Sequence, residues 1–113
     1  MNRTNAERRA RSIELRPSPD GYQRLLGGPP DSFCLRAGLV ALAPGTSVGK
    51  HNTEEYEELI VALVGRGVMV SDDGSETPID AGHFCYCPPH TGHDVKNTGT
   101  EQLRYVYIVT KTK

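Results

Sequence analysis

The chain of 113 residues is long enough for one domain with a modest hydrophobic core. Its formal net charge of −1 excludes the strongly basic surface through which proteins attract nucleic acid or anionic membranes. No apolar run approaches the roughly 18 residues of a membrane-spanning helix, so we expect neither nucleic acid nor a membrane as a partner. Twelve glycines and eight prolines indicate many turns and favour short strands over long helices.

The first part of the chain is polar or interrupted by proline. Residues 1–11 are rich in charge and are predicted to form a flexible tail, which leaves residues 12–113 as a single domain. Short strands are predicted at residues 12–16 and 22–26, because proline or glycine follows each run. Residues 33–42 form the first long strand candidate, which ends at an Ala-Pro-Gly turn signal.

The rest of the chain alternates apolar or β-branched runs with turn residues. Residues 57–64 are too few for a typical helix and apolar on both faces, which predicts a strand buried on both sides. The other predicted strands cover residues 51–53, 68–71, 76–79, 83–87, 95–97 and 103–110. About nine or ten short strands without a helical period predict an all-β, antiparallel sandwich or small barrel.

Side-chain alternation along the strands suggests a metal site. His51 and Thr53 point the same way, and Glu58 points away from Glu57. A hairpin would therefore bring His51 and Glu58 together inside the barrel, and His93 comes from a later strand. Two imidazoles and one carboxylate form a set that binds Fe, Mn, Ni, Co or Zn and leaves coordination positions open.

The spacing of these residues resembles the two motifs of the cupin superfamily. The first motif corresponds to Gly45, His51, Thr53, Glu58 and Gly65, and the second to Gly82, Pro88, His90, His93 and Asn97. The chain departs from the family pattern at Thr53, where a second histidine is usual, and at His90, where glycine is usual. The resemblance implies an antiparallel cupin β-barrel (a double-stranded β-helix or jelly roll) with one divalent metal ion on His51, Glu58 and His93. It does not choose a reaction, because one fold hosts many chemistries.

Three further residues are candidates for the surrounding pocket. The Thr53 hydroxyl is a poor metal ligand and is expected to hydrogen-bond a metal-bound water. His90 is interpreted as a replacement ligand, an acid/base group at the pocket mouth or an exposed loop residue. Tyr86 is interpreted as a sheet residue or as one whose hydroxyl reaches the pocket. Glu58 and His90 are the candidate catalytic residues.

The three cysteines have no disulfide-scaffold spacing, so a reducing cytoplasm is the expected location. Cys85, Cys87, His90 and His93 together read C-x-C-x2-H-x2-H, a pattern compatible with zinc. Free cysteine within a strand also packs as a small hydrophobe, and we favour that role for both cysteines and for Cys34.

Two classes of function remain open. The first is a metal-dependent dioxygenase, isomerase, decarboxylase or lyase that acts on a small polar metabolite. The alternative is a non-catalytic module that binds a small, sugar-like ligand without a metal.

The resemblance also implies a homodimer, in which residues 13–26 are the expected swapped or added strand.

Overall fold

A computed structural model of the chain describes residues 9–113, so the predicted tail over residues 1–11 lies mostly outside the described part. Nine strands follow one another in this part: β1 (Tyr22–Gly27), β2 (Arg36–Leu42), β3 (His51–Asn52), β4 (Tyr56–Val64), β5 (Arg66–Ser71), β6 (Glu76–Asp80), β7 (Phe84–Cys87), β8 (Gly92–Asn97) and β9 (Leu103–Lys111). The same residues include no helix long and apolar enough to cross a membrane.

The strands form two antiparallel sheets. The five-stranded sheet has the order β1-β2-β9-β4-β7, and the four-stranded sheet has the order β3-β8-β5-β6. Strands distant in sequence are neighbours in space, since β9 lies between β2 and β4 and β8 between β3 and β5. This topology confirms the predicted all-β, antiparallel jelly-roll fold.

The hydrophobic core lies between the two sheets. Its residues are Ile60, Ala62, Met69, Ile79, Cys85, Cys87, Val95, Leu103 and Tyr105. They come from β4, β7 and β9 on one side and from β5, β6 and β8 on the other. Burial of these apolar side chains is the main favourable term that holds the sheets face to face.

The strand predicted at residues 57–64 is β4, but it is not buried on both faces. Glu58, Ile60 and Ala62 are buried on the inner face, whereas Leu59 and Val61 are half-buried on the outer face. The apolar run was misleading because one side of this strand faces the exterior of a two-sheet structure.

Three other strand predictions are corrected by the structure. Residues 12–16 form no strand. They run alongside β1, where the Arg16 amide donates to Gln23 Oε1 and Gln23 Nε2 donates to the Glu14 carbonyl at 2.9 Å. Strand β2 begins at Arg36 because residues 29–35 form turns, and β8 begins at Gly92 and therefore includes His93.

Gly65 makes the tight turn between β4 and β5. Its φ angle is +85°, a conformation that residues with a Cβ atom rarely adopt. An added Cβ would also lie 2.5 Å from the carbonyl oxygen of Gln102. This position therefore requires glycine for both conformation and space.

Asn97 joins the end of β2 to the turn between β8 and β9. Its side chain is buried, and Nδ2 donates to the carbonyls of Leu42 at 2.8 Å and Glu101 at 2.9 Å. Its Oδ1 accepts from the Gly99 amide at 2.9 Å. One amide side chain thus satisfies three backbone groups.

We expect Asn97→Ala to lower the free energy of unfolding by about 2–4 kcal/mol, because it leaves backbone groups without partners in a buried place. Chemical denaturation measures this change. Asn52→Ala is the matched control, since the exposed Asn52 accepts a single bond from the Glu54 amide and its loss should cost under about 1 kcal/mol. Equal losses in the two variants would contradict the joining role of Asn97.

Candidate metal centre

Strand pairing brings three side chains into one end of the barrel. His51 on β3 lies directly opposite His93 on β8 in the four-stranded sheet. Glu58 projects from β4 of the facing sheet, and its neighbour Glu57 points to the outside. The sequence-predicted ligands therefore meet between the sheets.

The three residues form a compact set of possible metal donors. One donor atom from each of His51, Glu58 and His93 lies within 4.8 Å of the others. His93 Nε2 is 3.2 Å from Glu58 Oε1, and the His51 and His93 ring centroids are 4.2 Å apart at an interplanar angle of 60°. Across residues 9–113 no other His, Cys, Asp and Glu side chains gather in this way.

A backbone carbonyl lies within hydrogen-bond distance of one ring nitrogen of each imidazole. His51 Nδ1 is 3.1 Å from the Gly49 carbonyl, and His93 Nδ1 is 3.2 Å from the Thr91 carbonyl. A carbonyl oxygen only accepts, so each Nδ1 carries the proton and donates. In the neutral ring, Nε2 then keeps its lone pair, and such a second contact is the usual way in which proteins orient a histidine ligand.

His93 Nε2 and the Glu58 carboxylate face each other in a buried environment. Both residues are almost fully buried, yet Nε2 makes no hydrogen bond within the described residues. The Glu58 carboxylate nevertheless raises the pKa of His93 above its usual value, against the opposing effect of burial. A divalent cation between the two groups would satisfy both of them, so the donor set fits a metal.

Cys87 lies beside this pair but on the other side of the imidazole. Its Sγ is 3.6 Å from His93 Nδ1, and burial together with the Glu58 charge raises the pKa of the thiol to about 11. Cys85 Sγ donates to the Pro78 carbonyl at 3.2 Å. Both cysteines are therefore protonated core residues, and the described residues do not assemble the cysteine–histidine zinc cluster that the sequence pattern allowed.

Thr53 lines the cleft, but its hydroxyl is engaged with the protein. The hydroxyl donates to the Pro88 carbonyl at 2.8 Å and accepts from the Thr91 amide at 3.0 Å. Thr53 therefore connects the β3–β4 turn to the loop before β8. A hydrogen bond from Thr53 to a metal-bound water remains a prediction, and only a remaining oxygen lone pair is available for it.

His90 and Tyr86 lie outside the cleft. His90 is exposed and has a φ angle of +55°, a conformation that glycine adopts more readily than residues with a Cβ atom. Tyr86 is 51% exposed on the outer face of β7, and its hydroxyl donates to Glu57 Oε1 at 2.9 Å. The pocket position proposed for Tyr86 is therefore corrected, because Cys85 and Cys87 occupy the inner face of that strand.

The donor set opens into a cleft of about 790 Å³. Tyr22 and Tyr107 lie on its wall, where their hydroxyls are 2.6 Å apart, and burial raises the pKa of Tyr107. Arg36, which the motif analysis did not single out, is also on the wall. The remaining lining includes Val40, Leu42, Val48, Lys50, Tyr56, Val95, Tyr105 and Val109.

A family model described as "Cupin domain" matches residues 38–109, which include every proposed metal ligand. A Cupin 2 conserved barrel domain protein from Salinispora arenicola has a solved structure that superposes with a TM-score of 0.71 at 31% identity. That match covers 90% of this chain and 92% of the Salinispora chain.

Two matches come from Thermotoga maritima. A protein named "Oxalate-binding protein" is 37% identical over 68 residues, which are 60% of this chain and 55% of that protein, so the chain spans only about half of its length. The structure of a predicted oxalate decarboxylase superposes with a TM-score of 0.63 at 23% identity and covers 88% of this chain and 99% of that one. At this identity, the structural match shows the fold alone.

We expect Glu58→Gln to lower the pKa of His93 in the metal-free protein, because the carboxylate that raises it is gone. A histidine NMR titration measures the shift, and Glu57→Gln on the outer face is the control. The raised pKa stabilises the fold below the usual histidine value of about 6.5, and this contribution is lost as pH rises through the folded-state pKa. Glu58→Gln should therefore reduce stability more in acid than at about pH 8. If the pKa of His93 is the same in Glu58→Gln and in the wild-type protein, the Glu58 carboxylate does not cause the raised value.

Proposed function

The chain belongs to the cupin family, and from this premise we propose that it binds one divalent metal ion through His51, Glu58 and His93 and a small polar metabolite beside that ion. The observation that carries the proposal is the buried Nε2 of His93, which has no hydrogen bond and faces the Glu58 carboxylate. Burial of such a pair without a ligand between them is unfavourable, and a metal ion removes the cost.

The donor set narrows the choice of metal. Two imidazole nitrogens and one carboxylate suit Fe(II), Mn, Ni, Co or Zn, whereas calcium and magnesium prefer oxygen ligands. When bound, such an ion acts as a Lewis acid on an oxygen of the metabolite. The protein contributes the orientation of His51 and His93 through Gly49 and Thr91, and the cleft walls limit which molecules reach the ion.

The ligand class that we propose is a small carboxylate. Three protein donors leave coordination positions free on any of these metals, and carboxylate oxygens bind them well. The relative named for oxalate binding supports this class for the part of the chain that it matches. A dioxygenase, isomerase, decarboxylase or lyase reaction is compatible with such a centre.

We also propose a homodimer in a reducing compartment. Phe33 and Phe84 are 67% and 68% exposed, and burial of such side chains in a second copy is favourable. Cys34, Cys85 and Cys87 are all free thiols. Residues 13–16 lie against β1 of their own chain, so the dimer would not need the strand exchange that we expected.

We expect His51→Ala and His93→Ala to remove the bound metal and to leave the fold intact. Elemental analysis of protein purified without added metal gives the stoichiometry, and circular dichroism checks the fold. Glu57→Ala is the matched control for Glu58→Ala, since the two carboxylates are adjacent on opposite faces of β4. Loss of metal from Glu57→Ala with retention in Glu58→Ala would refute the assigned ligands.

We expect oxalate to bind only to the metal-loaded protein. In isothermal titration, the metal-loaded protein should bind oxalate and the chelator-treated protein should not. Reloading the metal should restore oxalate binding. Because the ligand imidazoles must be neutral, metal affinity should also fall as pH decreases below about 7. Equal oxalate affinity in loaded and metal-free protein would rule out the proposed ion–carboxylate contact.

A further inference from the structure

We propose that Arg36 binds the second anionic group of a dicarboxylate whose first carboxylate ligates the metal held by His51, Glu58 and His93. The inference rests on the proposed function and adds both the charge of the ligand and the residue that selects it. Arg36 lies outside the two sequence motifs, and its position follows from the arrangement of three strands.

Arg36 and Glu58 face the same side of the five-stranded sheet. Each of them pairs with Val109, Arg36 from β2 and Glu58 from β4. Neighbouring strands lie about 4.8 Å apart, so the two α-carbons are about 10 Å from each other across the cleft wall. A long side chain at one end and a metal ion at the other leave room for a small ligand between them.

Two neighbours hold the Arg36 side chain in this place. The guanidinium carbon is 5.9 Å from the centre of the Tyr56 ring, a cation–π distance. Gly28 lies beneath the side chain, where an added Cβ would be 2.9 Å from Arg36 Nε. The aromatic ring and the bare glycine backbone position the guanidinium and leave its donors available.

Arg36 has no charged partner among residues 9–113, whereas the other long cationic side chain of the cleft wall, Lys50, has one. Lys50 Nζ is 2.7 Å from Asp72, and the Asp20 carboxylate accepts from the Ser18 hydroxyl and the Tyr22 amide. No carboxylate within residues 9–113 lies within 4 Å of the Arg36 guanidinium. A guanidinium is always charged, and its paired N–H donors match a carboxylate, so the ligand supplies the natural partner.

The charges of the site favour a dianion. A divalent ion bound by two neutral imidazoles and the Glu58 carboxylate retains one positive charge, and Arg36 adds a second at the other side of the ligand. A monocarboxylate would coordinate the ion but leave the Arg36 guanidinium without a carboxylate partner. A dicarboxylate satisfies both with charge-assisted contacts, which are stronger than neutral ones.

Arg36→Gln tests this assignment in the metal-loaded protein, with malonate, succinate and acetate as probes in isothermal titration. We expect dicarboxylate affinity to fall about 10- to 100-fold, the loss typical of a hydrogen-bonded charge, with acetate affinity and metal content unchanged. Arg36→Lys should be intermediate, because it keeps the charge but loses the paired donors. Arg104→Gln is the matched control, since Arg104 contacts Gln102 on the outer face of the same sheet.

The outcomes separate this inference from the proposed function. Unchanged dicarboxylate affinity in Arg36→Gln, or an equal loss for acetate, would overturn the role of Arg36 alone. Absence of metal from the wild-type protein would overturn both, and elemental analysis detects that result without any variant. Thermal unfolding of each variant confirms that the compared proteins are folded.

Discussion

A carboxylate buried inside an apolar barrel requires a nearby positive charge or a proton, and the arrangement of this protein's site follows from that requirement. Strand β4 turns Glu58 inward because its neighbours Ile60 and Ala62 must face the core on the same side. The partners of the carboxylate come from the opposite sheet, where His51 and His93 are directly paired. Core packing and site chemistry therefore depend on the same strand register.

The register also explains why the sequence predicts so much of the fold. Short runs with a period of two, separated by glycine, proline and aspartate, specify strands such as β5, β6 and β9 with little dependence on distant residues. The same alternation predicts that the side chains of His51, Glu58 and His93 all point to the inside. Residues 12–16 show the same alternation but form no strand. A strand pairs with the backbone groups of a neighbouring strand, whereas this segment is hydrogen-bonded by the side chain of Gln23.

Other features depend on contacts that local patterns do not encode. The position of Arg36 beside Glu58 requires β9 to lie between β2 and β4, which is a property of the chain topology. Thr53 looks like a weakened ligand in sequence, whereas its hydroxyl joins a turn to a loop more than 30 residues away. Tyr86 is a different case, because alternation with the buried Cys85 and Cys87 would have placed it outside.

The three proposed ligands differ in how firmly the fold holds them. Glu58 and His93 are almost fully buried on strands with neighbours on both sides, whereas His51 is exposed on a two-residue strand at the edge of its sheet. Local opening costs least where few contacts are made, so β3 is the part of the site that opens most readily. Exchange of an ion would then proceed by release of His51 while the other two ligands stay in position. For the proposed ion, the rate of exchange, as distinct from the affinity, would thus be governed by the two residues of β3.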